Sequence, residues 1–279
     1  MGTSVLRAEF RLQSGRTVLG DAFFTPPMKL AKPFPVDGRP AGAAVVVMEA
    51  SPGMLAGDRY EMDWIIGSGA RAAATTQSYA KVHPCPAGGA VQTIRIAVGE
   101  GASFIWAPQP MQLHADASFR GSVQAELASG ASLMLLDTLG AGRIHHAGEA
   151  FRFRLFEQEV TVSVEGRIAL ASRVRYAPAE QSPGAPGAFG GDTHVGTLFG
   201  FGAFADQGAV ETVLAAAERR RGVRAGASLL DHGGLAAVVL GSAAWDVHRT
   251  LVAMGRELAA IAGRRASDGC APFAWTEWP

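Results

Sequence analysis

Tyr60-Glu61-Met62-Asp63-Trp64-Ile65-Ile66-Gly67-Ser68-Gly69-Ala70 decides the fold, because its phrase of alternating strand followed by a small-residue corner returns three more times. The later corners read Gly99-Glu100-Gly101-Ala102, Ser129-Gly130-Ala131 and Glu165-Gly166-Arg167. Their glycines Gly69, Gly101, Gly130 and Gly166 stand 32, 29 and 36 residues apart. Glycine reaches positive φ without steric cost, so the chain can turn tightly at each. Before the corners the apolar residues keep period two: Tyr60, Met62, Trp64 and Ile66; Ile94, Ile96 and Val98; Val123 and Leu127; Val160, Val162 and Val164. Polar residues such as Asp63, Arg95, Gln124 and Thr161 fill the gaps, the pattern of strands with one buried face. A unit of ~30 residues suits stacked or coiled elements that share a continuous core. The expected fold is mainly β, with stacked or coiled sheets built from strand–glycine corner–strand units, and two α-helices in the C-terminal half. An ordinary series of hairpins would explain the corners but not their spacing.

A chain of 279 residues and 29.0 kDa can bury a large core. A single domain is expected over 1–279, with a β-rich core over 1–176, a Gly/Pro-rich loop over 177–206 and a helical segment over 207–279 completing the core. Lys+Arg and Asp+Glu number 25 each, which is no footprint for nucleic acid. The two cysteines, Cys85 and Cys270, do not make a disulfide framework. Neither an apolar leader nor an apolar run near ~20 residues is visible, so no membrane role and a cytoplasmic setting are the expectation.

The chain opens with expected strands at Leu6–Leu12 and Arg16–Phe24. A proline-rich loop or edge follows over Lys29–Pro40, then a buried strand over Ala43–Ala50. After Tyr176 the stretch Pro178–Gly202, rich in Gly, Pro and Ala, reads as a long mobile loop. Helices are expected over Ala209–Arg221 and Ala243–Ala262, separated by a strand-like run from Leu235 to Leu240. The basic Arg219-Arg220-Arg221 suits a helix C-terminus. In the second helix Val247, Leu251, Met254, Leu258 and Ile261 form a stripe that packs on the sheet, and Gly263 stops it. The aromatic end, Pro272 to Pro279, is expected to fold back onto the body.

Motifs for phosphate loops, nucleophile elbows, His-Glu-x-x-His and Cys-x-x-Cys are missing from the sequence. Gly200-Phe201-Gly202 echoes a dinucleotide loop without the strand–turn–helix that would support it. Two histidine sites stand in expected loops, His83-Pro84-Cys85 and His145-His146. Each offers two donors to a metal ion, or is simply a solvated loop, because two ligands do not close a metal site.

Polar residues just after the strands are more informative. They are Thr75-Thr76-Gln77-Ser78-Tyr79-Ala80-Lys81-Val82, Trp106-Ala107-Pro108-Gln109-Pro110, and Gly142-Arg143 with Gly148-Glu149. With Gly57-Asp58 and the closing Phe273-Ala274-Trp275-Thr276, in this order and spacing, the chain resembles the urease accessory proteins UreD, called UreH in some organisms, from Arg16 to Trp275. That resemblance implies a non-catalytic urease maturation factor with a mainly β fold and two helices. It implies binding to apo-urease together with UreF-type and UreG-type proteins while Ni²⁺ passes through an internal, water-filled path. Asp58, Gln77, Lys81, Gln109, Arg143 and Glu149 occupy the family's motif positions. Ser78-Tyr79 and His83-Pro84 depart from it, so no role carries over to Val82–Pro86.

The chemistry of the donors agrees with passage rather than storage, with no tightly bound cofactor and only transient Ni²⁺. A closed structural metal site holds its ion by about 10–16 kcal/mol, whereas micromolar binding, near −8 kcal/mol, lets it go. Scattered oxygen donors such as Asp58 and Glu149 bind Ni²⁺ weakly. Alternatively, Asp58, Arg143 and Glu149 are charges that pair to hold β corners. Two other functions remain open at this level: a β-solenoid or cupin-like carbohydrate-active enzyme, which would need paired carboxylates or a metal triad, and a purely structural interaction scaffold.

Overall fold

The structure is a computed structural model and describes residues 2–36, 42–146, 148–185 and 187–265. Cys270 and the aromatic closing segment therefore lie outside the described residues. The chain begins β1 (Thr3–Gln13), β2 (Arg16–Phe24), β3 (Met28–Leu30), β4 (Phe34–Val36) and β5 (Gly42–Glu49). The repeat region supplies β6 (Arg59–Ile66), β7 (Arg71–Thr76), β8 (Ala80–Val82), β9 (Ala90–Val98), β10 (Ser103–Trp106), β11 (Met111–Leu113), β12 (Ser118–Leu127), β13 (Ser132–Gly140), β14 (Leu155–Val164) and β15 (Arg167–Tyr176). The remainder is β16 (His194–Phe201), α1 (Gln207–Glu218), β17 (Val223–Leu230), β18 (Gly234–Gly241) and α2 (Ala244–Arg265).

Two sheets face each other. The first runs β15-β14-β12-β9-β6-β1-β2, and the second runs β17-β18-β16-β13-β10-β7-β5-β3. At each of the first three corners a strand of the first sheet hands the chain to a strand of the second: β6 to β7, β9 to β10, β12 to β13. Gly69, Gly101 and Gly130 hold φ of +68°, +62° and +66°, and the corners stack on one another. Gly69 N–H donates to Glu100 O at 2.9 Å, and Gly101 N–H to Ser129 O at 3.1 Å. The coil is therefore parallel within each sheet, strand above strand in register.

The fourth corner does something else. Glu165 and Gly166 both take positive φ, +50° and +77°, and β15 returns antiparallel beside β14 in the same sheet. Only two residues separate these strands, and two consecutive left-handed residues make a hairpin turn. The same geometry at Ser14-Gly15 joins β1 to β2. Three corners build the coil and the fourth ends it.

The stretch expected as one long loop over Pro178–Gly202 contains β16, a central strand of the second sheet. Its glycines give the loop-like composition, but Gly196 and Gly200 serve the packing above it. A Cβ on Gly196 would stand 2.5 Å from Leu251 Cδ1, and one on Gly200 3.1 Å from the Phe204 ring. They flatten the strand so that α2 can lie on it. The stripe Val247, Leu251, Met254, Leu258 and Ile261 is buried against that face. Gly263 does not stop α2, which continues to Arg265. Helix α1 begins earlier than expected, with the Asp206 Oδ1 accepting from Ala209 N–H at 2.8 Å as its N-cap. It ends at Glu218, so the basic triplet lies just beyond it. Strand β17, not expected from the sequence, pairs with β18 as a hairpin. The Lys29–Pro40 stretch holds the short edge strands β3 and β4.

The central strands of the second sheet are buried on both faces, under the helices on one side and the first sheet on the other. This explains runs such as Leu133-Met134-Leu135-Leu136, apolar at every position. The outer face of the first sheet is charged, with Asp63 bridging Arg7 and Arg95 at 3.0 and 2.9 Å.

Candidate functional site

Between the sheets, rows of side chains from in-register strands cross the molecule, and their character changes with distance from the corners. Nearest the corners the row is Phe10, Ile66, Val98 and Leu127, all buried. The next two are Ala8, Trp64, Ile96, Ala125, Val162 and then Leu6, Met62, Ile94, Val123, Val160. The fourth is polar: Ser4, Tyr60, Gln92, Gly121, Gln158. Gln92 pairs across to both Tyr60 and Gly121, and Gly121 to Gln158, so these groups stand in line inside the sheet stack.

Two cavities flank this row. One of about 270 Å³ lies between the sheets and is walled in part by Gln92, Gln109, Asp137, Gln158, Thr197 and Tyr176, the rest being mostly apolar. A smaller one of about 40 Å³ is bordered by Glu49, Tyr60, Gln77 and Ser78. Both are lined by Thr76, Ala80 and Gln92, which form the partition between them. At the small cavity the Tyr60 hydroxyl donates to Glu49 Oε1 at 2.7 Å. Burial first and then Glu49 push its pKa up.

Asp137 is the carboxylate of the larger cavity. It sits on β13 in phase with the inward Leu133, Leu135 and Leu139. Its side chain retains some accessible area although protein surrounds it, and the cavity reconciles the two, since that area faces the cavity. Burial raises its pKa to about 6, opposed only by a hydrogen bond from the Thr138 N–H. The indole Nε1 of Trp64, also buried in the inter-sheet core, has no partner among the described residues.

Gly121 leaves room for this polar row. A Cβ there would stand 2.0 Å from Gln158 Oε1 and 2.9 Å from the Phe119 ring. Gly121→Ala is expected to keep the fold and drive the Gln158 carboxamide aside, costing roughly 1–3 kcal/mol of stability by overpacking. Urea unfolding and the Gln158 side-chain amide resonances measure both effects, and an unmoved Gln158 would refute this packing.

The residues singled out from the sequence do not form one cluster. Gln109 reaches the larger cavity and donates its backbone N–H to Thr76 Oγ1 at 2.9 Å. Gln77 borders the smaller one. Asp58 closes its own turn, with Oδ2 accepting from Leu55 N–H at 2.8 Å. Lys81 is exposed on β8. Arg143 and Glu149 form a two-pronged ion pair across their loop, Nε to Oε2 at 2.8 Å with Nη2 on Oε1, and the hydrogen bond from Arg143 holds Glu149 below the usual carboxylate range. His146 Nε2 stands 3.8 Å from the same carboxylate, and His145 is exposed beside it. His83 places Nε2 3.0 Å from Pro52 O, and its ring meets His114 edge-on with centroids 4.8 Å apart. The Cys85 thiol is buried in the core and donates to His83 O at 3.3 Å. Among the described residues no three His, Cys, Asp or Glu side chains gather as a metal cluster.

Gln92, Asp137 and Gln158 were missed in the sequence, yet each leaves a trace there. Gln92 and Gln158 extend the apolar phase of Ile94-Ile96-Val98 and Val160-Val162, and Asp137 is one charge within Leu133–Leu139. A polar residue in the buried phase is the signal.

Comparison with known proteins decides the family. The family model for the UreD urease accessory protein matches residues 2–276. The chain belongs to the UreD urease accessory protein family. It is 32% identical to the urease accessory protein UreD of Anaeromyxobacter sp. (strain Fw109-5) over 97% of this chain and 88% of that one. It is likewise 32% identical to the UreD of Acetivibrio thermocellus over 67% of this chain and 71% of that one. The urease accessory protein UreH of Helicobacter pylori (strain P12) is 33% identical over 58% of this chain and 62% of its own length. This UreD-family chain thus has a role in urease maturation and is an accessory protein, not an enzyme. No described helix is long and apolar enough to cross a membrane.

Proposed function

We propose that this UreD-family chain acts in urease maturation as a cytoplasmic conduit for Ni²⁺, bound to apo-urease together with UreF-type and UreG-type partners. One observation supports it most: a row of neutral polar side chains, with Asp137 at the larger cavity and Glu49 at the smaller, lines cavities inside an otherwise apolar core. Burying such groups without protein partners is costly unless water or an ion satisfies them, so the row marks a hydrated interior. Carboxamide, hydroxyl and carboxylate oxygens are weak donors for Ni²⁺ compared with imidazole or thiolate, which suits a cargo that must leave.

The test is co-expression with urease and the partner proteins, followed by a nickel assay on purified urease. Gln92→Leu and Gln158→Leu should each slow loading about tenfold, the equivalent of ~1.4 kcal/mol on passage. Pull-down of the partners should be unchanged. If nickel content stays at wild-type levels with both residues replaced, the conduit fails and the scaffold function is left. The engagement of Asp58 and of Glu149 in their own turns favours a structural role for these two residues.

A further inference from the structure

We propose that residues 266–279, which follow α2, strap the outer face of β5, β7 and β10, with the rings of Phe273, Trp275 and Trp278 seated on a row of small side chains. This surface is independent of the conduit, because it lies on the opposite face of the second sheet.

The helix side of the second sheet is covered unevenly. Helix α2 lies over β13, β16 and β18, and α1 lies over β17. Strands β10, β7 and β5 follow β13 in the sheet, on the side away from both helices. Neighbouring strands stand ~4.8 Å apart, so β7 and β5 are roughly 14 and 19 Å from β16, the middle strand under α2. A helix with its side chains is about 10–12 Å across, so α2 does not reach them.

That face is nevertheless buried. Ala44, Ala73, Ile105 and Met134 stand in register across β5, β7, β10 and β13. Ala44 and Ala73 are 0% exposed and Ile105 is 4% exposed. They alternate with Val45, Ala74, Phe104 and Trp106 of the inter-sheet core, so they point to the helix side. A Cβ stands out from the pleat, and a methyl group on a bare sheet face would keep contact with water. The row therefore has a cover.

Three observations name it. First, α2 delivers the chain to this face. A groove of about 190 Å³ at the corner end is bordered by Ile105 and Met134 from the strands and by Ala259, Ala262 and Gly263 from the last turns of α2. Second, the length suffices. Fourteen residues follow Arg265, an extended chain spans about 3.3 Å per residue, and β13 to β5 is only ~14 Å. Third, the shapes are complementary. Ala44, Ala73 and Ala107 leave a shallow trough, and the segment brings three rings that each bury about 150–250 Å². The internal stretch Asp37-Gly38-Arg39-Pro40-Ala41, also outside the described residues, has neither the length nor a large apolar side chain for this.

The experiment is hydroxyl-radical footprinting of the full wild-type chain, with p-benzoylphenylalanine in place of Trp275 as a second arm, both read by mass spectrometry. Trp245, 60% exposed, and Trp64, fully enclosed, set the fast and slow limits of indole oxidation. Trp275 should react at a rate close to that of Trp64. The photo-cross-link from position 275 should stay within one chain and fall on residues 42–49, 71–76 or 103–106. The strap is overturned by a Trp275 whose rate is nearer that of Trp245, or by cross-links that fall elsewhere in the chain. Cross-links that join two chains also overturn it and make a second copy the occupant of this face. Should the p-benzoylphenylalanine chain fail to fold or form no cross-link, the wild-type oxidation rates decide alone.

Discussion

Trp64→Ala is expected to lower the stability of the chain by about 3–5 kcal/mol, the cost of deleting a large buried aromatic and leaving a cavity. The Trp64 side chain is fully buried, with the Phe104 and Trp106 rings each 5.6 Å away centroid to centroid. Its neighbours along the row are small on one side, Ala8, and medium on the other, Ile96, while Ala72 and Ala74 of β7 belong to the same core. One large ring thus fills the space that several alanines leave, and none of those alanines can expand to replace it. Because both sheets pack on Trp64, the loss should appear as a lower urea midpoint of the whole transition, not as a local fraying. Total stabilities are commonly ~5–15 kcal/mol, so the variant is expected to be marginal at 37 °C. Trp64→Phe is the informative partner. It keeps much of the ring while deleting the Nε1–H that has no acceptor among the described residues, so it should cost clearly less than Trp64→Ala. Equal losses in the two variants would mean that the indole N–H finds a strong partner, such as a bound water, that sets the stability.

The same row explains what could be read from the sequence and what could not. The inward phase of β6, β9, β12 and β14 was legible because period two is a local property of each strand. So was the crossing at Gly69, Gly101 and Gly130, where a small-residue corner is local too. The fourth corner looked alike in composition and differed in length, and only the two-residue Glu165-Gly166 link distinguishes a hairpin from a crossing. Strand β16 was hidden for a different reason. Gly196 answers to Val247 and Leu251 of α2, some 50 residues later in the chain, and no local pattern can report a helix that arrives from so far away. The candidate site suffered from the same non-locality. Asp58, Arg143 and Glu149 were visible as charges near turns, and they engage groups in those turns. Gln92 and Gln109 come from one turn of the coil, Asp137 from the next and Gln158 from the one after, and they meet only because the coil stacks them.

Asp137→Asn is expected to stabilise the protein at pH 7.5, the opposite direction from most substitutions in a core. A folded carboxyl moved from an ordinary 3.8 to about 6 carries roughly two units of penalty when ionised, on the order of 3 kcal/mol. Asparagine has nearly the same shape, its carbonyl can still accept from the Thr138 N–H, and it has no charge to desolvate. The sign of the pH dependence follows from proton counts. Between about pH 4 and pH 6 the native chain holds the Asp137 proton and the unfolded chain has lost it, so stability falls as pH rises through that window. Above it both states are ionised and the penalty is complete; below it both are protonated and the penalty vanishes. Urea midpoints of the two chains should therefore coincide near pH 4 and separate progressively up to pH 6, with Asp137→Asn the more stable. Saturating Ni²⁺ at pH 7.5 should narrow the gap from the wild-type side alone, because a cation on the carboxylate replaces the solvation that burial removed. A wild type as stable as Asp137→Asn at pH 7.5 without metal would mean that water already solvates the carboxylate inside the cavity, and the low-dielectric basis for holding its proton would be lost.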